Sequence, residues 1–343
     1  MNIVNKNIND IFNDSKLNSK FFSVKHNELN INCNILKDNF YLDSYNYFPI
    51  TKENFSFKDV FIWGDKGKYE NFYSKDFMRN FDKNKKNFKK MTNIFLLGSS
   101  PGNNYYRNLI TFFPRIFFLN SKKVKLVVHR NFSNKFRDFI LLICNQMKIE
   151  IQFIFLDDGF YHFIDSEIPQ FLKHNESIKI LNTLKVNKKK KKEKIYLSRR
   201  SSSYRNLINE SDVIDKLKLN DFRIIDLNNI NIFQQIELFS NAEVIVSPSG
   251  SSLANIVFCS PGTKIVEISP KYSFEYEDIF KKRYSSICDE LDLVYTSIEA
   301  DSVNLDKFEK KSKKMINNKV LNESNYYKNL LIRLDQVSEI LSI

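Results

Sequence analysis

Short apolar runs that break into small polar loops and restart as helical patterns recur along most of this chain. No other feature constrains the fold as much. In the first half the runs cover residues 94–97, 124–128 and 149–156, with helical patterns over 104–119, 134–147 and 169–185. Pro114 is expected to kink or interrupt the first of these helices, because proline has no N–H to donate. In the second half the runs cover 194–197, 222–226, 244–246 and 264–268. Helical patterns lie between them at 211–219, 231–240 and 253–258, and a long amphipathic helix is expected over 322–341. Strands and helices alternating at this scale predict an α/β fold with parallel sheets covered on both faces.

The alternation stops twice, and those breaks set the expected domains. Residues 1–90 are rich in Asn, Phe and Tyr, with β-like pieces such as 60–63 but no clear period. They are expected to form irregular or β-rich packing against a Rossmann-like part at 91–186. A lysine run at Lys188 to Lys192 marks a linker at 187–193, and a second Rossmann-like domain follows at 194–343. With 343 residues, 42% of them hydrophobic, the chain can bury two cores. Seven glycines and seven prolines are too few for a collagen-like or low-complexity chain.

The formal net charge of +13 favours anionic partners: nucleic acid, anionic lipid or phosphorylated small molecules. No helix-turn-helix, RNA-recognition or zinc signature accompanies it, so nucleic-acid binding is a remote alternative. Cys33, Cys144, Cys259 and Cys288 are too far apart for a Cys-x-x-Cys pair, and Cys144 and Cys259 sit in apolar runs. A reducing compartment is expected, without a structural metal or disulfide framework. The N-terminus lacks an apolar signal core, and no stretch approaches the roughly 20 apolar residues of a spanning helix. These readings point to a cytoplasmic protein whose charge suits contact with an anionic membrane surface.

Three segments carry candidate chemistry. The run Ser247-Pro248-Ser249-Gly250-Ser251-Ser252 follows a strand and opens a helix, where unpaired N–H groups and the helix dipole favour an anion. Gly250 is suited to close backbone approach or to positive φ, and the serine hydroxyls can donate. A second segment, Ser198-Arg199-Arg200 to Arg205, also follows a strand, and arginine forks suit a diphosphate. Asn209 and Glu210 come next, with Glu210 able to orient Arg205 or cap the following helix. The third is Glu267, closing the run 264–268, where a carboxylate can accept both hydroxyls of a ribose.

In order, these segments resemble the family 61 glycosyltransferases. That group includes bacterial polysaccharide-biosynthesis proteins and eukaryotic xylosyl-, arabinosyl- and N-acetylglucosaminyltransferases. The resemblance runs through Ser198-Arg199, Arg205, Asn209-Glu210, Gln235, Phe239, Ala242, Leu253-Ala254-Asn255, Phe258, Pro261-Gly262-Thr263 and Glu267. A weaker match covers Asn104-Tyr105-Tyr106-Arg107 and Pro114-Arg115, so the similarity spans roughly residues 90–300. This sequence has Ser249, Arg107 and Thr111 where the family commonly has His, His and an acid.

The resemblance implies a GT-B-like fold: two Rossmann-like parallel-sheet domains facing a cleft, with the donor nucleotide on the second and the acceptor on the first. It implies transfer of a sugar from a nucleotide-sugar donor to a glycan or lipid-linked acceptor in surface polysaccharide biosynthesis, with inversion and without an obligatory metal. Donor-binding candidates are Arg199, Arg205, Asn209, Glu210, Ser249, Gly250, Ser251, Ser252, Asn255 and Glu267. Inverting transfer also needs a base. Asp158 and His162, in the run Asp157 to His162 after the third strand, are candidates, and Arg107 is a third catalytic candidate. A relative that binds nucleotide or glycan but has lost its base is the main alternative.

Overall fold

The structure, a computed structural model, describes residues 4–5, 20–44, 48–51, 55–56, 81–98, 104–186, 192–200, 202, 205–272, 278–303 and 328–342. The expected β-like piece at 60–63, the loop at 99–102 and most of the expected linker, 187–191, lie outside the described residues. The chain divides into two compact units, Met1–Ser177 and Ile178–Ile343.

The first unit is built on a mixed sheet. Its strands are β1 (Phe21–Lys25), β2 (Asn32–Asp43), β3 (Phe48–Thr51), β4 (Lys89–Thr92), β5 (Ile94–Leu96), β6 (Lys123–His129), β7 (Glu150–Leu156) and β8 (Phe160–Pro169). The order is β1-β2-β8-β5-β6-β7, with β3 on β2 and β4 on β8. Strands β8, β5, β6 and β7 are parallel; β5, β6 and β7 are the three apolar runs of the sequence, and β8 is a strand that the alternation did not announce. The meander β1-β2-β3 and the β2–β8 pair are antiparallel, so the unit is not wholly parallel. One face gathers Leu36, Phe40, Leu42, Ile94, Leu96, Val127, Leu156 and Phe163 into a core. Helix α1 (Asn134–Gln146) starts on Ser133, whose hydroxyl accepts from the Phe136 N–H, and its Phe139 stacks on Phe113 at 4.1 Å.

Pro114 does interrupt its helix. Residues Arg107–Phe112 are wound as a π-helix and Phe113–Phe118 as a 3₁₀ helix, with Pro114 in the first turn of the latter. A proline inside a helix removes one ladder hydrogen bond, and the change of winding takes place there.

Helix α2 (His174–Asn182) contains the division between the units. The second unit then reads β9 (Glu193–Leu197), α3 (Glu210–Lys218), β10 (Phe222–Ile225), α4 (Ile232–Ser240), β11 (Ala242–Pro248), the 3₁₀ helix Ser251–Phe258, β12 (Lys264–Pro270), α5 (Asp278–Glu290), β13 (Val294–Val303), β14 (Asn329–Leu331) and α6 (Leu334–Ser342). The sheet order is β10-β9-β11-β12-β13-β14. The first five strands are parallel and β14 is antiparallel. Tyr196, Val244, Val246, Val266, Ile268 and Ile298 share a core with Val213, Ile214 and Leu217 of α3 and Val337 and Ile340 of α6. Alternate residues Ile195, Ile245 and Ile265 point to the opposite face and are also fully buried. Covering on both faces is what makes these strands unbroken apolar runs.

One expectation fails here. The long helix at 322–341 is not one element, because Asn329–Leu331 form β14 and α6 begins only at Leu334. The run Asp157 to His162 does follow the third strand, and it enters β8, so His162 lies inside a strand.

Candidate functional site

Taken in chain order, the parallel strands of the second unit are arranged 2-1-3-4-5. The direction of winding reverses between β9 and β11. In open α/β sheets the crevice at such a reversal, outside the carboxyl ends of the strands, is where ligands bind. Two of the segments singled out in the sequence leave the sheet here: Ser198-Arg199-Arg200 after β9, and Ser249-Gly250 after β11.

They touch. A methyl group on Gly250 would lie 2.5 Å from the Arg199 guanidinium carbon, so the arginine packs directly on the bare α-carbon. The backbone at Gly250 is extended, with φ of −179°, so this glycine serves close approach and not positive φ. The loop is tied down by backbone bonds from the Ser249 N–H to the Ile268 carbonyl and from the Leu253 N–H to the Gly250 carbonyl. The Tyr284 hydroxyl of α5 also donates to the Gly250 carbonyl at 2.6 Å.

Beneath this contact lies a buried polar chain. Arg205 is 3% exposed and sits at φ of 57°, an unusual conformation for a side-chain-bearing residue. Its Nη1 donates to the Ser249 hydroxyl at 3.4 Å. Ser249 in turn stands beside Glu267, whose other support is the Tyr295 hydroxyl, donating to Oε2 at 2.6 Å. Burial pushes the Glu267 carboxyl above its ordinary value, against the opposing pull of Ser249, Tyr295, Arg205 and Arg283. The same burial, helped by Glu267, pushes the Tyr295 phenol up.

A second chain holds the Arg199 segment. Glu210, the first residue of α3, is 3% exposed. Its carboxylate accepts from the Tyr196 hydroxyl at 2.8 Å, the Arg199 N–H at 3.3 Å and Arg200 Nε at 2.8 Å. Burial, then the neighbouring carboxylate, raises the Tyr196 phenol well above its usual range. A carboxylate at a helix N-terminus is also favoured by the dipole. Glu210 therefore orients Arg200 and the Arg199 backbone from the first turn of α3.

Several expected site residues do other work. Glu267 does not end its strand: β12 continues to Pro270, and the carboxylate, 2% exposed, faces Ser249 and Tyr295. Asn255 is completely buried, and its amide donates to Gln235 Oε1 at 3.0 Å and to the Ser252 carbonyl at 3.1 Å, tying α4 to the 3₁₀ helix. The Asn209 amide donates to the Ile332 carbonyl at 2.7 Å and thus anchors the C-terminal segment. Ser251 and Ser252 are half-buried at the first turn of the 3₁₀ helix, beside the Arg199–Gly250 contact in sequence.

The three catalytic candidates belong to the first unit. Asp158 is exposed and paired with Arg130 at 3.0 Å. His162 is cross-strand partner to Tyr41 and stacks on it at 4.5 Å. Both side chains thus have structural employment. Arg107 is half-buried at the start of the π-helix, its backbone N–H donating to Asn104 Oδ1. Among the described residues, no three His, Cys, Asp or Glu side chains cluster as a metal site requires, and no helix is long and apolar enough to cross a membrane.

The geometry so far is that of an arginine-bearing loop packed on a serine-glycine loop at a sheet reversal. Residues 105–266 match the model of the family described as Glycosyltransferase 61. The chain is similar to the family 61 glycosyltransferases. The match supports glycosyltransferase activity. No curated protein matches the chain. The Glycosyltransferase 61 stretch begins at Tyr105 of the first unit and ends at Val266, one residue before Glu267. It contains Arg199, Arg205, Glu210 and the whole Ser249–Gly250 loop. Tyr284 and Tyr295 lie beyond it, on α5 and β13, and were not legible as site residues. They are single tyrosines on regular elements, recognisable only once the sheet order places β13 beside β12.

Proposed function

We propose that the chain is a nucleotide-sugar-dependent glycosyltransferase that holds the donor diphosphate at the sheet reversal of its second unit. The observation that carries this reading is the packing of the Arg199 guanidinium on Gly250, where the exits of β9 and β11 meet. Arg199 supplies the fork for the diphosphate, and the first N–H groups and hydroxyls at Ser251 and Ser252 supply neutral donors. Together they stabilise the negative charge that develops on the leaving diphosphate. Arg205, Ser249 and Glu267 are too deeply buried to be first contacts, and we assign them to positioning the loop.

The reading extends to an inverting reaction, a GT-B arrangement, no obligatory metal, and a glycan or lipid-linked acceptor of surface polysaccharide biosynthesis at the cytoplasmic side of a membrane. Its support is the family resemblance together with the +13 charge. A binding protein without turnover is the second reading. It is favoured by Ser249, which is 1% exposed and bonded by Arg205 where the family commonly places a histidine.

The test is release of nucleoside diphosphate from a panel of UDP-, GDP- and dTDP-sugars, alongside donor binding by calorimetry. Turnover with at least one donor, and an Arg199→Ala variant that folds but binds that donor at least about tenfold more weakly, is the expected result. Binding without release selects the second reading. A wild-type protein that neither binds nor turns over any donor overturns both.

A further inference from the structure

The loop after β11 turns on a peptide that could face either way. Glycine tolerates both orientations of the peptide that follows it, so the plane between Gly250 and Ser251 is not fixed by its own residues. Two donors fix it. The Gly250 carbonyl accepts from the Leu253 N–H at 2.9 Å and from the Tyr284 hydroxyl at 2.6 Å, which occupies both of its lone pairs. Turning the peptide over would break both bonds at once. The two differ in kind. The Leu253 N–H belongs to the same 3₁₀ helix and moves with the loop, whereas Tyr284 ties the carbonyl to another element.

That element is packed. Tyr284, Ile287 and Cys288 lie one turn apart on α5 and form a face no more than 1% exposed. A hydroxyl carried on such a face has little freedom, and at 2.6 Å its bond is short.

What the carbonyl bond presents lies on the other edge of the peptide. In a planar trans peptide the N–H points opposite to the C=O, so the Ser251 N–H faces away from the Tyr284 hydroxyl. Ser251 is the first residue of the 3₁₀ helix, so its N–H has no partner within the helix. Among the described residues it is bonded to no acceptor elsewhere. The Arg199 guanidinium packs on the α-carbon of the preceding residue, so a charged fork and a neutral donor meet at consecutive residues. The phenol also acts through the amide itself. A donor on the carbonyl draws electron density from the nitrogen, and the N–H becomes a stronger donor.

We propose that Tyr284 is a positioning residue for the donor diphosphate: it locks the Gly250–Ser251 peptide so that the Ser251 N–H meets a phosphoryl oxygen. This rests on the glycosyltransferase reading above. It adds a residue beyond the matched stretch, on a helix that does not itself reach the ligand. Every group it uses belongs to the second unit.

The experiment takes the nucleoside diphosphate of the donor that wild type binds most tightly and measures its Kd by calorimetry. The Kd of the parent nucleoside, which has no phosphate, is measured by competition. Tyr284→Phe keeps the buried ring and removes only the hydroxyl. It should weaken the diphosphate about three- to tenfold and leave the nucleoside unchanged. A tyrosine that served only the packing of α5 would shift the thermal midpoint and move both affinities together or neither, and either outcome overturns the inference. A second pair of variants reads the N–H itself. Proline is tolerated at the first helical position, and Gly250, with φ of −179° and ψ of 159°, has the extended backbone that a residue before proline needs. Ser251→Ala removes the hydroxyl, and Ser251→Pro removes the hydroxyl and the N–H. Ser251→Pro should bind the diphosphate at least about tenfold more weakly than Ser251→Ala. Equal affinities of the two overturn the inference even where Tyr284→Phe does not fold, and leave the Arg199 contact standing. Wild-type protein that binds neither donor nor nucleoside diphosphate overturns the underlying reading and this inference with it.

Discussion

Two residues of the second unit separate folding from function in a testable way. Gly250 is extended, so its φ is open to any residue, and the obstacle to a side chain there is the Arg199 guanidinium. That group is the end of a flexible side chain and can swing away at little cost. Gly250→Ala should therefore change stability by less than about 1 kcal/mol while weakening donor binding at least about tenfold, as Arg199→Ala does. Denaturant midpoints and calorimetry on one preparation decide it, and a large stability loss with donor affinity intact would refute the contact as a binding device. Glu267 makes a prediction in pH. Burial raises its carboxyl above the ordinary value of 4.5, so the folded chain keeps this proton to higher pH than the unfolded chain does. The folded state therefore binds the extra proton in the window above 4.5, and stability falls as pH rises through the folded value. Below that window the group contributes in full. Glu267→Gln removes the titration, so the variant should gain on wild type as pH rises, each unit of the original shift being worth about 1.4 kcal/mol. Parallel stability curves for the two proteins would show that the carboxyl does not titrate abnormally.

At the level of elements, what could be read from the sequence depended on whether the cause was local. Strands β9, β11 and β12 were visible because both faces are buried, which leaves an apolar run without alternation. Helix α4 lies where its pattern put it, and its start is fixed locally by a reciprocal capping box of Asn231 and Gln234. The stretch 322–341 misled for the opposite reason. Its apolar residues satisfy a helical period, yet Asn329–Leu331 pair antiparallel with the end of β13, and the Leu330 N–H bonds the Asn206 carbonyl. Non-local partners, one of them more than a hundred residues away in sequence, overrode local propensity. The strand that holds His162 is likewise defined by pairing with β2, far upstream. The site divides along the same line. Arg199, Glu210 and Gly250 stood out by type and by position after a strand, whereas the Arg199–Gly250 contact itself required the sheet order. The energetic weight of the C-terminal strand can be measured. Leu330 is completely buried in the second core, between the Leu207 segment and α6. Leu330→Ala should cost about 2 to 5 kcal/mol, visible as a lower denaturant midpoint with unchanged slope. A loss under about 1 kcal/mol would mean that β14 is peripheral to the fold.

At the scale of the whole molecule, the four cysteines report on both units. Cys33 and Cys144 lie in the first and Cys259 and Cys288 in the second, and all four are free and buried. Burial pushes the Cys33, Cys144 and Cys288 thiols up to about 12 and raises Cys259 well above its usual value. Thiol chemistry runs through the thiolate, so burial suppresses reaction twice, by denying access and by withholding the reactive form. The native chain should therefore show no thiol reactive toward a disulfide reagent at neutral pH, and four after denaturation. Because each unit carries two reporters, the rates of labelling at intermediate denaturant also resolve how the units unfold. Units that open together expose all four thiols in one kinetic phase, and units that open separately expose them two by two, with Cys→Ser variants assigning each pair. A thiol that reacts quickly in the native chain would contradict the packing of the core around it.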